Sequence, residues 1–269
     1  MDKLDYTYHN HTKRCGHASG EDEEFVLAAI EMGFRTLCFS DHIILPDRVQ
    51  PRMRGSASVL RDYFDSIEYL KNKYKDIIEI HLGFEAEWFG EEYADYYRWL
   101  LKNRVEYLIL GQHVWIGGED DTFHWYAEPW YPNQTAGING YADDLIAGMR
   151  SGLYTYVCHP DLYMRWCKEW NEETAKVAYR IARAAKECDI PLEVNMGMSH
   201  EKPHVGERGY PYPCDQFWDI VSEIGCKVII GLDSHKPSHI LENDGAWFLE
   251  FVKKHKLDYI DHLEFKKIR

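Results

Sequence analysis

The chain has 269 residues, 45% of them hydrophobic and 14% aromatic, with Gly and Pro scattered, which argues against a disordered or low-complexity chain and allows one large core. A formal charge of -14 without a continuous Lys/Arg stripe argues against duplex nucleic acid as a partner, and no apolar run approaches the ~20 residues that span a bilayer. Seven cysteines form no CxxC pair and MDKLDYTYHN holds no apolar signal segment, so the expected setting is a reducing cytoplasm with the thiols as small buried groups.

In chain order, Leu4 to Tyr8 is a strand candidate, and SGEDEEFVLAAIEMGF reads as a helix with Ser19 as N-cap, Asp22 at capping-box spacing and apolar residues at Phe25, Ala28, Ala29 and Met32. TLCFSDH follows Gly33 as a short buried strand. Helical stretches at about 57 to 75 and 91 to 104 lead into IIEIHLGFE and YLILGQH. LIAGMRSG leads to YTYVCHP, the capped helix NEETAKVAYRIARAAKEC leads to PLEVNM, and CDQFWDIVSEIG leads to KVIIGLDSH. This alternation predicts a parallel sheet that closes into a βα-type barrel, with an open doubly wound sheet as the alternative and YIDHLEF as a further candidate strand. Residues 1–269 read as a single domain. Segment 114 to 140, carrying Trp115, Trp125 and Trp130 among Gly, Pro and acidic residues, reads as a long loop that serves as a lid or packs a satellite core.

Metal-capable side chains fall at the predicted strand ends. His9 and His11 follow the first strand, with His17 in the loop beyond. Asp41 and His42 end the second, Glu85 the third, His113 the fourth, His159 the fifth, and Asp233 with His235 the seventh. In a parallel barrel these ends gather on one rim, the face that carries barrel active sites. His9 and His11, two residues apart in an extended segment, point to the same side, and the same spacing relates Asp233 and His235. Any one histidine is most simply a hydrogen-bonded, partly buried group, but that reading suits the whole set poorly. Imidazoles and carboxylates without cysteine suit Zn, Mn or Fe, and so many donors imply two or three divalent metal ions rather than one. A carboxylate such as Glu85 can bridge two ions, and ions about 3.5–4 Å apart stabilise both attacking and leaving oxygens in phosphoryl transfer.

HNH at 9 to 11, His17, SDH at 40 to 42, GFE at 83 to 85, QH at 112 to 113, CHPD at 158 to 161 and GLDSH at 231 to 235 together resemble the PHP (polymerase and histidinol phosphatase) superfamily. GFEAEW, HPDLYMRW and an arginine followed by YPYP resemble its histidinol-phosphatase branch. The resemblance implies a distorted (β/α)7 barrel with a trinuclear metal centre. By position, the first metal would take His9, His11, Glu85 and Asp233, the second Glu85, His113 and His159, and the third His17, His42 and His235. The implied reaction is hydrolysis of a phosphate monoester, L-histidinol phosphate in that branch and so a step of histidine biosynthesis, with a metal-bridging hydroxide as nucleophile.

The sequence does not identify the acid that protonates the leaving alkoxide. Asp41, Asp161 and His235 are the catalytic candidates on the rim, Asp161 also as a group that orients His159 or a neighbour. For the substrate, Arg165 and Arg208 offer fork-shaped donors to phosphate, Arg52 and Arg54 are weaker candidates, and His204 lies in the loop after the sixth strand. The alternative for Arg165 and Arg208 is half of a surface salt bridge. Glu119, Asp120 and Asp121 form either a contact for a cationic substrate group or a solvated loop tip. Two other functions stay open. One is a phosphoesterase of the same fold on a sugar phosphate, a nucleotide or phosphotyrosine, and the other is a non-catalytic metal-binding module, which a closed coordination shell would favour.

Overall fold

The structure, a computed structural model, describes residues 3–119, 121–126, 131–195, 204–205 and 211–265. After β1 (Tyr6–Thr7), α1 (Asp22–Glu31) leads to β2 (Thr36–His42), α2 (Leu60–Tyr74) to β3 (Glu79–Ala86), and α3 (Glu91–Asn103) to β4 (Tyr107–Leu110). An antiparallel hairpin, β5 (Val114–Gly117) and β6 (Thr122–Trp125), intervenes before α4 (Gln134–Ser151) and β7 (Tyr156–Val157). Then come α5 (Glu172–Glu187), β8 (Leu192–Val194), the short ribbon β9 (His204–Val205) and β10 (Pro211–Tyr212), α6 (Asp215–Ile224), β11 (Lys227–Ile230), α7 (Pro237–Leu241), α8 (Ala246–Lys254) and β12 (Asp258–Tyr259).

Eight strands pair in parallel in the order β1-β2-β3-β4-β7-β8-β11-β12. The sheet curls until its upper ends meet. Asn10 bridges Ser234 in parallel register, with the His11 amide donating to the Ser234 carbonyl at 2.8 Å and the Ser234 amide to the His9 carbonyl at 3.1 Å. Beyond β1 and β11 these two segments thus close a ring of seven strands, a distorted (β/α)7 barrel. At the other end β12 lies beside β11, and the Tyr259 hydroxyl meets the Tyr6 hydroxyl at 2.8 Å. YIDHLEF therefore does contribute a strand, outside the ring that closes at the rim.

The central residue of HNH explains why closure occurs there. The Asn10 side chain donates to the Cys38 carbonyl at 2.7 Å and accepts from Thr7 Oγ1 at 3.1 Å, and its amide donates to Ser40 Oγ at 3.1 Å. One fully buried amide thus ties the end of β1 to β2, and its flanking histidines take the opposite side of the extended chain.

Apolar faces of the helices cover the sheet. In α5, Val177, Ala178, Ile181, Ala182 and Ala185 are buried at helical spacing, and Asn171 caps the Glu173 and Thr174 amides at 3.0 and 3.1 Å, a contribution of about 1 kcal/mol. The start of α1 corrects the expectation of a Ser19 cap. The helix begins at Asp22, Glu24 reaches back to the Glu21 amide at 2.7 Å, and the Ser19 amide donates instead to the His235 carbonyl at 2.9 Å.

The reading of 114 to 140 as one loop is also corrected, since it contains the β5–β6 hairpin and the first turns of α4. Aromatics on both faces hide its alternation. Trp130, Asp120 and the candidate Arg208 lie outside the described residues. Among the described residues no helix is long and apolar enough to cross a membrane.

Candidate metal centre

Strand register sets the site. His42 lies beside Glu85 across β2 and β3, and Glu85 beside Ile109 of β4, so side chains far apart in sequence share one level of the barrel. The structure brings together His9, His11, His17, His42, Glu85, His113, His159, Asp233 and His235. Glu85 is at their centre and its two oxygens face different partners. Oε2 lies 3.6 Å from His9 Nε2, 3.4 Å from His11 Nε2 and 3.0 Å from His42 Nδ1. Oε1 lies 2.7 Å from His159 Nε2 and 3.4 Å from His113 Nε2.

Asp233 Oδ1 completes the first group, 3.5 Å from His9 Nε2 and 3.1 Å from His11 Nε2. His17, His42 and His235 form a second cluster with donor atoms within 4.8 Å of one another, the Nε2 atoms of His17 and His235 being 2.9 Å apart. His159 and Asp233 both adopt positive φ, 35° and 52°, a conformation that side-chain-bearing residues hold only where the surroundings enforce it.

The electrostatics favour cations. Burial opposes ionisation of Glu85 and Asp233, yet the surrounding imidazoles hold both carboxyls well below the usual range. Burial and neighbouring imidazoles push His17 and His235 down, and His42 to about 4, the neutral form in which imidazole ligates metal. Against the same burial, carboxylates raise His9, and they raise His11 to about 9. A divalent cation that takes those carboxylates displaces such protons.

The unpartnered atoms of this set fit metal ions. His42 Nδ1 and Glu85 Oε2 are buried 3.0 Å apart, neither with a hydrogen-bond partner, where the Nε2 atoms of His9 and His11 also turn toward the Glu85 carboxylate. Orphaned donor atoms converging on shared points are costly unless a ligand satisfies them, and nitrogen and carboxylate donors suit Zn, Mn or Fe. The expectation of a cysteine-free site needs correction, because Cys158 Sγ lies 3.2 Å from Glu85 Oε1 and Cys15 Sγ lies close to His11 and His235. Burial pushes both thiols up, so they stay protonated and Cys158 donates to Glu85.

Sequence reasoning missed Glu193 and Glu87. Glu193, fully buried on β8, accepts from His9 Nδ1 at 2.9 Å, from the His159 amide at 3.2 Å and from Asn195 Nδ2 at 2.9 Å. Glu87 Oε1 lies 3.3 Å from His113 Nδ1. With Asp41 Oδ1, 3.5 Å from His11 Nδ1, three carboxylates each face the outer ring nitrogen of a different histidine, an arrangement that orients imidazole ligands. The acidic residue at 193 stands inside an apolar strand pattern, PLEV, and that is the signal that was available.

Above the cluster opens a cavity of about 560 Å³, whose walls include Arg52, Met53, Trp125, Arg165, Trp166 and Tyr212 beside the histidines. Arg165, Arg52 and the candidate His235 therefore face the space a substrate would fill. Asp41 and Asp161 do not line it. Asp41 accepts from the Thr12 hydroxyl and the His42 amide, and Asp161 accepts from the Cys214 amide at 2.8 Å and the Trp218 indole at 3.2 Å, holding the start of α6 rather than His159. Arg54 is likewise removed from the phosphate-binding candidates, because it is buried against Glu87. His204 lies on β9, its backbone paired with Tyr212 of β10. The acidic tip is partly engaged, since Asp121 pairs with Arg48 at 2.8 Å. In the hairpin Trp115 packs on His124 and Tyr131, as a satellite core would, while Trp125, 47% exposed, lines the cavity.

A family model described as "PHP domain" matches residues 7–197. A Deinococcus radiodurans protein named "Probable histidinol-phosphatase" is 24% identical over 254 residues, covering 91% of this chain and 90% of that one. A crystal structure of the HisK protein from Listeria monocytogenes superposes with a TM-score of 0.71 at 22% identity, over 88% of this chain and 98% of that one. The histidinol phosphate phosphatase of Lactococcus lactis, solved with zinc, L-histidinol and phosphate, superposes with a TM-score of 0.68 at 18% identity, over 98% and 99% of the two chains. The matched segment carries the motifs from HNH to CHPD at or just beyond the ends of the strands described above, and this chain belongs to the PHP domain family.

Proposed function

We propose that this chain is a metal-dependent phosphoric monoester hydrolase whose substrate is L-histidinol phosphate, released as L-histidinol and phosphate. The observation that carries this reading is the division of Glu85 between two sets of imidazoles at the floor of an open cavity. A structural metal site closes its shell, whereas this one faces a space large enough for a small ester. The named relatives support the choice of substrate.

His9, His11, Glu85 and Asp233 would hold one ion, Glu85, His113 and His159 a second, and His17, His42 and His235 a third. When bound, Zn, Mn or Fe ions supply Lewis acidity toward the phosphate and a water of lowered pKa. The rest is done by the protein. Arg165, on the cavity wall, would offer its guanidinium to a phosphate oxygen. Trp125, Trp166, Leu162 and Met53 give the cavity apolar lining, which would exclude bulk water and present flat surface to an imidazole ring. Asp41, fixed between Thr12 and the His42 amide, holds a carboxylate beside His11 Nδ1 and leaves that ring's Nε2 directed at Glu85 and Asp233.

The test is phosphate release from L-histidinol phosphate beside a sugar phosphate, a nucleotide and a phosphotyrosyl peptide, with metals counted by elemental analysis. Preferred turnover of histidinol phosphate by protein holding two or three ions supports the reading. Turnover of the other esters alone would move the substrate elsewhere, and fewer than two ions without turnover would leave a binding module.

A further inference from the structure

One buried ion pair lies outside the metal cluster and yet touches it. Arg54, 1% exposed, meets Glu87, fully buried, through two parallel contacts of 2.6 and 2.9 Å. Burying a guanidinium and a carboxylate is expensive unless every donor finds a partner, so such a pair is weak evidence for stability and better evidence for a geometric task. The remaining contacts of Arg54 tie it to its own segment, to the Ile43 carbonyl, which accepts from Nη1 at 3.4 Å, and to two aromatic rings. Nε donates to Gln50 Oε1 at 3.0 Å, the backbone amide donates to the Gln50 carbonyl at 2.9 Å, and the guanidinium stands over the Phe89 and Phe123 rings at 5.5 and 5.1 Å.

These contacts fold residues 48–54 into a strap whose middle, Gln50 to Met53, forms one wall of the cavity. Arg48 pins its other end, donating to the Tyr93 hydroxyl at 2.7 Å and pairing with Asp121 on the hairpin. On the inner side, the Glu87 oxygen that binds Arg54 Nη2 also faces His113 Nδ1 at 3.3 Å, and His113 Nε2 points to Glu85 at 3.4 Å. A continuous path of contacts therefore runs from the cavity wall through Arg54 and Glu87 to one imidazole of the metal cluster.

We propose that Arg54 and Glu87 are positioning residues that couple the seating of the 48–54 strap to the metal contact of His113. The wall against the substrate and the Glu85–His113–His159 position then form together. A cation on His113 fixes the ring, the ring fixes Glu87, and Glu87 holds the strap; coupling of this kind is reciprocal. The inference rests on the phosphatase reading only for what fills the cavity.

The experiment uses the full chain and zinc alone, so it is independent of turnover. Arg54→Met or Glu87→Gln singly leaves a buried charge unpaired and can prevent folding, so the decisive protein is the double variant Arg54→Met/Glu87→Leu, which removes both charges at similar volume. Its fold is checked by circular dichroism, its zinc affinity by titration, and hydrogen exchange of 48–54 is followed with and without zinc. We expect the folded double variant to bind its weakest zinc about 10- to 100-fold less tightly than wild type, in line with loss of a carboxylate behind a ligand histidine. We also expect zinc to slow exchange across 48–54 in wild type and to leave it unchanged in the variant. Wild-type zinc affinity in the folded double variant, or wild-type exchange in 48–54 that ignores zinc, overturns the proposal. Turnover of histidinol phosphate, measured separately, bears on the function alone.

Discussion

Glu193 and His9 meet inside the barrel, 2.9 Å from carboxylate to ring Nδ1, both fully shielded from water. The same carboxylate takes the His159 amide, so one side chain on β8 holds two neighbouring histidines of the metal cluster that come from strands far apart in sequence. With its proton on Nδ1, His9 presents Nε2 to Glu85 and Asp233. Glu193→Ala should weaken metal binding by about 10- to 100-fold and lower the melting temperature, whereas Glu193→Gln, which can still accept, should lose less. Zinc titration of the two variants decides this, and equal loss in both would show that the charge rather than the bond is what matters.

Two glycines make room for carboxylates. A Cβ at Gly111 would overlap Glu85 Oε1 and approach Cys158 Sγ, and a Cβ at Gly231 would overlap Glu193. Neither conflict involves a flexible surface group. Gly111→Ala should therefore displace Glu85, cost about 1–3 kcal/mol in stability and reduce bound metal. Urea unfolding with elemental analysis checks both, and unchanged metal content would mean that Glu85 can shift without losing its role.

Removal of metal should be visible in stability as well as in turnover. Buried imidazole and carboxylate donors facing one another without a cation are poorly satisfied, and a ligand that binds only the folded chain stabilises it by mass action, about 2.7 kcal/mol at a hundredfold excess over Kd. Protein stripped by a chelator should melt lower and recover on adding Zn, Mn or Fe. A thermal scan that is indifferent to chelation and re-addition would count against a metal centre.

Much of the barrel and its rim is legible in the residues themselves, and the reason is geometric. A parallel barrel gathers strand ends, so side chains at those ends can be listed from sequence once the alternation is seen, and His9, His42, Glu85 and His159 are examples. What the sequence conceals has physical causes too. The β5–β6 hairpin carries aromatics on both faces and so lacks the clean alternation of a half-buried strand. Glu193 and Glu87 act behind histidines, and no local spacing marks a residue whose partner is on another strand. Arg54 and Asp161 look available for chemistry because sequence cannot show that Glu87 and the Cys214 amide already hold them.

Acid should weaken the fold at a point away from the metals. Glu106, at the opposite end of β3 and β4 from the site, accepts from the Leu82 amide at 3.1 Å, faces His81 Nδ1 at 2.7 Å and pairs with Lys71. Burial opposes its ionisation, but these partners pull its pKa down to about 2. A carboxyl whose folded pKa lies below its unfolded value, about 4.3, stabilises the fold above that value and loses the contribution as pH falls toward the folded one. The side chain is 35% exposed, so solvent screening keeps the contribution to about 1 kcal/mol, well below what the shift alone suggests. Glu106→Gln should be less stable than wild type at pH 6, and the gap should close between about pH 4.3 and pH 2. Urea midpoints for both proteins across that range test it, and a gap that is constant with pH would assign the loss to packing instead of charge.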